Sequence, residues 1–295
     1  MTRRSAIPVL VLSALIMGTA STAAALMPAS IPGTTIGAAT LGAGGLLMFV
    51  AFRGSALQVL RDRHTRHWVL SGGLLVACYA LAYYSSVQYA GAAVSTVVNL
   101  GSAPLFAAAM EWITGTRRLS LQWALGTAVS VVGLVLLSFF ADPGAASDTP
   151  TDAADMTAGI ALAVLSGLLY AGYTLTSKKA LDQRPDAPGV MGATFGVGGF
   201  LLLPLLALNF ETLLRTPATI GLGLYLAIGP VLIGFWLFGL GLRYVDARTA
   251  TTITLIEPVL ASLLAVIVIH EAIAAPGWIG IAATVVGLYV ATKKS

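Results

Sequence analysis

Glu257 is the ionisable side chain set deepest in an apolar stretch of this sequence, and Pro258 follows it directly. A charge at mid-depth in a bilayer costs at least about 2.5 to 3.5 kcal/mol, so a carboxyl group there calls for a reason. Proline has no N–H to give the carbonyl of Thr254. A helix through this dipeptide is therefore expected to bend and to set a backbone acceptor beside the carboxyl group. Such a pair can hold a cationic group or a proton; the alternative is a neutral glutamic acid hydrogen-bonded to a neighbouring helix. Pro104 repeats the device and frees the carbonyl of Leu100, while Ser95, Asn99 and Ser102 fall at i, i+4 and i+7 just before it. They form one polar stripe on one helix face. Tyr79 and Tyr83 share a face, as do Tyr170, Thr174 and Ser177, and Trp236 lies deep in its own apolar run. Aromatic rings with one polar atom suit a cavity for small organic solutes, although Tyr and Trp also serve as interface anchors. The expected substrate pathway is built from Glu257, Pro258, Thr254 and Thr251 on one segment and Asn99, Ser102 and Pro104 on another. Tyr79, Tyr83, Tyr170 and Trp236 complete it.

The remaining reactive groups point away from catalysis. Glu111 stands near the end of an apolar run, within reach of Arg117 or Arg118, and reads as half of a surface ion pair. His270 and Glu271 fall at another run's end, where water solvates them. Cys78 is the only cysteine, so neither an internal disulfide nor a thiolate metal cluster can form. His64, His67 and His270 all lie at or beyond the ends of apolar runs, which leaves no buried imidazole pair for a haem. No nucleophile elbow, phosphate-binding glycine loop or zinc helix is present, so neither an enzyme nor a bound cofactor or metal is expected.

These residues must be held by membrane-spanning helices. The 295 residues are 57% hydrophobic and only 9% charged, with a mean hydropathy of +0.89, too few charges to cover a soluble globule. The net charge of +4 resides in short basic clusters between apolar runs, so it reads as an orientation signal and not as a nucleic-acid surface. A span takes about 20 apolar residues. Ten are expected, near 6–27, 31–52, 68–88, 91–113, 121–140, 157–177, 189–208, 219–241, 249–269 and 276–292. The first also has the look of a cleavable signal peptide, with Arg3-Arg4, an apolar core and Ser21 to Ala25. With both termini cytoplasmic in the cell membrane, fifteen of the sixteen Lys and Arg residues fall inside and only Arg215 outside.

The second half repeats the first. Val11-Leu12-Ser13-Ala14-Leu15 recurs as Val164-Leu165-Ser166-Gly167-Leu168, Pro104 as Pro258, and Val131-Val132-Gly133-Leu134 as Val285-Val286-Gly287-Leu288, at offsets of 153, 154 and 154. The recurrence of Val11–Leu15 inside the chain argues for a first span over a leader. The expected division is a first repeat over 1–140, an acidic extracytoplasmic linker over 141–156 and a second repeat over 157–295. Five spans per half make the copies antiparallel, a frequent construction of secondary transporters. The glycines clustered within spans, as at Gly42 to Gly45 and at Gly192 and Gly196, read as helix-packing sites.

The chain resembles the ten-helix EamA type of the drug/metabolite transporter superfamily. The likeness rests on Ala103-Pro104-Leu105-Phe106, then Arg118 to Trp123 and Gly126 to Gly133. In the second half it rests on Ile256-Glu257-Pro258-Val259, then Glu271 and Trp278 to Gly287. The family's usual Gly-Glu at the end of each fourth helix is replaced in the first half by Gly115-Thr116. The resemblance implies two inverted five-helix repeats, a central cavity lined by helices one, three, four, six, eight and nine, and amino acids, other metabolites or drugs as substrates, more often exported. The function expected is a secondary transporter of small metabolites, most simply an exporter of amino acids or related compounds working by alternating access, with protons as a coupling partner through Glu257. A passive channel and a non-transporting membrane subunit are the rival readings. Oligomeric state is not read from the sequence.

Overall fold

The computed structural model of the chain describes residues 3–28, 31–115, 120–140, 153–208, 210–264, 266–267 and 273–293. Among the described residues every regular element is helical. The principal helices are α1 (Arg3–Ala25), α2 (Gly33–Ala51), α3 (Arg63–Ala90), α4 (Ala92–Ile113), α5 (Leu121–Phe140), α6 (Ala153–Gln183), α7 (Ala187–Leu208), α8 (Pro217–Leu242), α9, which comprises Ala247–Ile253, Thr254–Ile256 and Glu257–Leu264, and α10 (Ala275–Thr292). Eight stretches of the described residues, in α2 to α8 and α10, are long and apolar enough to cross a membrane. The apolar part of α1, Arg4–Ala20, is shorter, and α9 changes its winding part-way.

Local chemistry sets the helix ends. Asp62 opens α3 by accepting the N–H of His64 at 3.0 Å, and Thr216 and Thr219 cap α8 reciprocally with Pro217 in its first turn. The hydropathy barely dips between α3 and α4, yet the chain reverses there at Gly91, whose φ of 79° favours a residue without a Cβ. Two spans overrun their expected bounds of 68–88 and 157–177. α3 has 28 residues and α6 has 31, about 42 and 46 Å at 1.5 Å per residue, against roughly 30 Å of hydrocarbon. The excess of α6 carries Lys178, paired with Asp182 one turn on at 2.8 Å. Hydropathy finds where a helix leaves lipid, not where it stops.

Two π-helical stretches, Ala38–Ala43 in α2 and Ala227–Gly234 in α8, have no counterpart in the sequence reading. Pro230 lies inside the second and cannot donate to the carbonyl of Leu226, so the widened turn accommodates the missing bond. The helices touch there: a Cβ on Gly44 would lie 2.6 Å from Val231 Cβ. Gly192 and Gly196 receive Phe52 and Phe49 in the same way. α1 is built into the fold, Ser13 Oγ donating to Gly234 O of α8 at 2.7 Å and Gly18 lying against the Glu257 backbone of α9.

α5 and α10 pack closely through small residues. Gly126 packs on Gly287, Gly133 on Gly280, and between them Ser130 Oγ donates to Thr284 O at 3.1 Å while Thr284 Oγ1 donates to Ser130 O at 3.3 Å. The numbers rise along α5 as they fall along α10, so the helices run antiparallel, and 126, 130 and 133 differ from 280, 284 and 287 by 154 throughout. Gly280→Val places a side chain against the Gly133 carbonyl and the Leu137 N–H. Overpacking of this kind costs about 1 to 3 kcal/mol, and thermal unfolding in detergent should show a lowered transition. An unchanged transition would mean that the seam is slack.

Candidate functional site

A cluster of tyrosines occupies the middle of the molecule. Tyr79 and Tyr83, one turn apart on α3, stack with ring centroids 5.9 Å apart. Tyr170 of α6 lies 5.8 Å from Tyr79, and Tyr173, one turn on from Tyr170, lies 5.8 Å from Tyr79 and 5.0 Å from Tyr170. Phe235 of α8 continues the cluster at 6.2 Å from Tyr173 and 4.3 Å from Phe195 of α7. The hydroxyls are directed by α4 and α9. Tyr83 and Thr96 share a hydrogen bond of 2.8 Å, Asn99 Nδ2 points at the Tyr79 hydroxyl at 3.4 Å, and Tyr170 donates to Thr254 Oγ1 at 3.2 Å. Thr254 passes its own proton to Thr251 O at 2.9 Å.

Glu257 enters from the turn after Thr254. Its carboxyl group lies within electrostatic reach of Tyr79, Tyr83, Tyr170 and Tyr173, and Gly18 of α1 closes on its backbone from behind. The oxygen Oε1 is buried and accepts no hydrogen bond from a described residue; Asn99 Oδ1 and Ser95 Oγ share that condition. Buried polar atoms of this kind are rare in folded proteins and each needs an explanation. Here one carboxylate oxygen and one amide oxygen, both acceptors, come from opposite halves of the chain beside a wall of aromatic rings. Such a set can take a proton or a donor-bearing solute.

Not every expected residue joins. Thr251 is fully buried and spends its hydroxyl on Ala247 O and Arg248 O of its own helix. Ser102 caps Asn99 O at 3.1 Å, which holds the helix turn that carries the amide. Trp236 packs on Phe52 at 5.8 Å, away from the tyrosines, and its neighbour Phe235 takes the place expected of it. Thr174 and Ser177 are buried on α6, the helix that carries Tyr170 and Tyr173.

The two prolines are not alike. Pro104 sits inside an uninterrupted helix, whereas the chain before Pro258 tightens to a 3₁₀ turn over Thr254–Ile256. There the N–H of Glu257 donates to Thr254 O, so that carbonyl is not left open as expected; the tighter i to i+3 bond replaces the one that proline cannot make.

Glu111 is the second departure. It is buried and not at the surface; Arg117 and Arg118 lie outside the described residues, as do His270, Glu271 and 141–152 of the linker. Its Oε2 lies 3.4 Å from Arg248 Nε, and its Oε1 accepts the Arg248 N–H at 3.2 Å, so the side chain of α4 caps the start of α9. The Arg248 guanidinium also lies over the ring of Trp123, 5.4 Å from its centre, and Trp123 donates to Thr252 Oγ1 at 3.1 Å. Sequence spacing pointed to Arg117 and Arg118 because they are near in the chain. The true partner is 137 residues away.

The model of the EamA-like transporter family matches residues 4–139 and again 157–293. The chain belongs to that family. This EamA-like protein is 33% identical over 283 residues to the uncharacterized transporter YwfM of Bacillus subtilis (strain 168), covering 95% of this chain and 90% of the relative. It is 27% identical over 287 residues to an uncharacterized transporter of Archaeoglobus fulgidus (strain ATCC 49558), covering 97% and 95%. A solved crystal structure 24% identical in sequence superposes with a TM-score of 0.79 over 98% of this chain and 97% of that one, a likeness of fold. The EamA-like transporter is a multi-pass membrane protein.

Proposed function

We propose that this protein is a secondary transporter that moves small metabolites, amino acids or related compounds among them, out of the cell by alternating access. One observation carries the reading: Glu257 and Asn99, from different halves of the chain, leave buried acceptor oxygens beside the same tyrosine wall. Rocking of one half against the other opens such a site to either side in turn. The antiparallel α5–α10 pair, with its constant offset of 154, supports two inverted five-helix repeats over 1–140 and 157–295 joined by an outside linker. The basic residues support ten spans with both termini in the cytoplasm of the cell membrane. In this reading Glu257 holds the coupling proton or the substrate's cationic group, and Tyr79, Tyr83, Tyr170 and Asn99 define the substrate's seat.

Purified protein in liposomes, tested with a panel of radiolabelled amino acids and metabolites with and without a pH gradient, is expected to show saturable flux of some members. Flux that rises linearly to high concentration would mark a channel and overturn the carrier reading. Absence of flux across the panel, with monodisperse protein correctly inserted, would overturn the substrate class. In the same membranes, cysteines replacing Ser55 and Glu211 should react from opposite sides, and reaction from one side would overturn the topology.

A further inference from the structure

Helices α1, α9 and α10 leave a crevice of about 160 Å³ between them, lined by Ile7 and Val11, by Ile256, and by Val285, Leu288 and Tyr289. It is separate from the tyrosine cluster. Its walls are apolar, because the one hydroxyl-bearing aliphatic residue on the rim, Thr292, donates its proton back to Leu288 O at 2.7 Å. From Val285 to Thr292 it runs about 10 Å along α10 at 1.5 Å per residue. Val285 and Tyr289 are 46% and 64% exposed, so the crevice opens sideways to the surroundings of the helices.

The mouth is charged. Arg4 is exposed and falls at i, i+3 and i+7 with Ile7 and Val11, on the crevice face of α1. Lys293 is exposed at the end of α10, its ammonium 5.7 Å from the centre of the Tyr289 ring. Arg4 stands one turn before Ile7 on α1 and Lys293 directly after Thr292 on α10, each just beyond the outermost lining residue of its own helix.

We propose that this crevice binds one anionic phospholipid, an acyl chain lying between α1, α9 and α10 with the phosphate held between Arg4 and Lys293. The apolar length takes hydrocarbon and has nothing to offer a polar solute. The membrane supplies hydrocarbon chains at this depth, and two cations at the headgroup level select a negative headgroup. The chain would lie behind Ile256, at the back of the 3₁₀ turn that presents Glu257 to the tyrosines. The binding does not depend on the transport reading.

Native mass spectrometry of the purified protein with added phosphatidylglycerol or phosphatidylcholine tests it. Two cations contribute about 1 kcal/mol each, so retention of one phosphatidylglycerol should exceed that of phosphatidylcholine at least about tenfold. Arg4→Ala with Lys293→Ala should remove the preference, and Val285→Trp, which fills the crevice from its rim, should remove the bound lipid. Equal retention of the two lipids overturns the proposal, and so does unchanged phosphatidylglycerol binding by a folded Val285→Trp variant, which would mean headgroup attraction alone. On the unaltered protein, phosphatidylglycerol with a photoreactive group in the half of the chain nearer the headgroup should label 253–256 and 285–292; labelling scattered over the lipid-facing helices overturns it as well.

Discussion

Glu257→Gln is expected to lower transport in liposomes at least about a hundredfold, the scale on which loss of a positioned proton-transfer group acts, with expression and thermal unfolding close to those of the unaltered protein. The substitution keeps the volume of the side chain and removes its ability to take up and release a proton. Oε1 accepts no hydrogen bond from a described residue, so the amide displaces no partner and the fold should tolerate it. Glu257→Asp, which keeps the carboxyl group but draws it back, should retain part of the flux. If Glu257→Gln transports at the normal rate and with the normal response to a pH gradient, the carboxyl group is structural and the proposed site loses its centre.

The second large effect is expected at Glu111. Removing one member of a buried ion pair leaves the other uncompensated and costs about 3 to 5 kcal/mol. Side-chain exposures of 9% for Arg248 and 4% for Glu111 place this pair in that class. Glu111→Leu should therefore lower the unfolding transition sharply, since it also strips the start of α9 of the acceptor for the Arg248 N–H. The double variant Glu111→Leu/Arg248→Leu should recover much of the loss, because no unpaired cation remains. Equal destabilisation by the single and double variants would show that the guanidinium is solvated independently of Glu111.

Single-sequence reading placed the helices well where a run was apolar and uninterrupted, as in α4, α5 and α7, because the bilayer imposes one length on all of them. It also found that Tyr79 and Tyr83 share one helix face and that Ser95 and Asn99 share another, since residues four apart on a helix must lie together. What it missed was information that one helix does not carry. Tyr173 is three residues from Tyr170 and could have been included by the same rule. Phe235, by contrast, is no different from its neighbour Trp236 until α8 is rotated by its π-helical turn. The proline argument at 258 was right about the missing donor and wrong about the result, because a helix can tighten by one residue and pass the carbonyl to Glu257. The partner of Glu111 was out of reach, as nothing in sequence links positions 111 and 248.

The seam between α5 and α10 has a meaning for how such a chain could be assembled. Gly126, Ser130 and Gly133 face Gly287, Thr284 and Gly280, so each side presents almost the same surface in opposite directions. A face of that kind is complementary to itself, the condition for an isologous dimer. On the proposed reading of two inverted five-helix repeats, a unit bearing such a face could pair with a second copy of itself, and fusing the two would lock the pair at one-to-one stoichiometry. From then on a change on one side meets its counterpart and no longer itself, which lets the two faces diverge one residue at a time. The exchange of hydrogen bonds between Ser130 and Thr284 survives such a step, because serine and threonine differ there by one methyl group and keep the same donor.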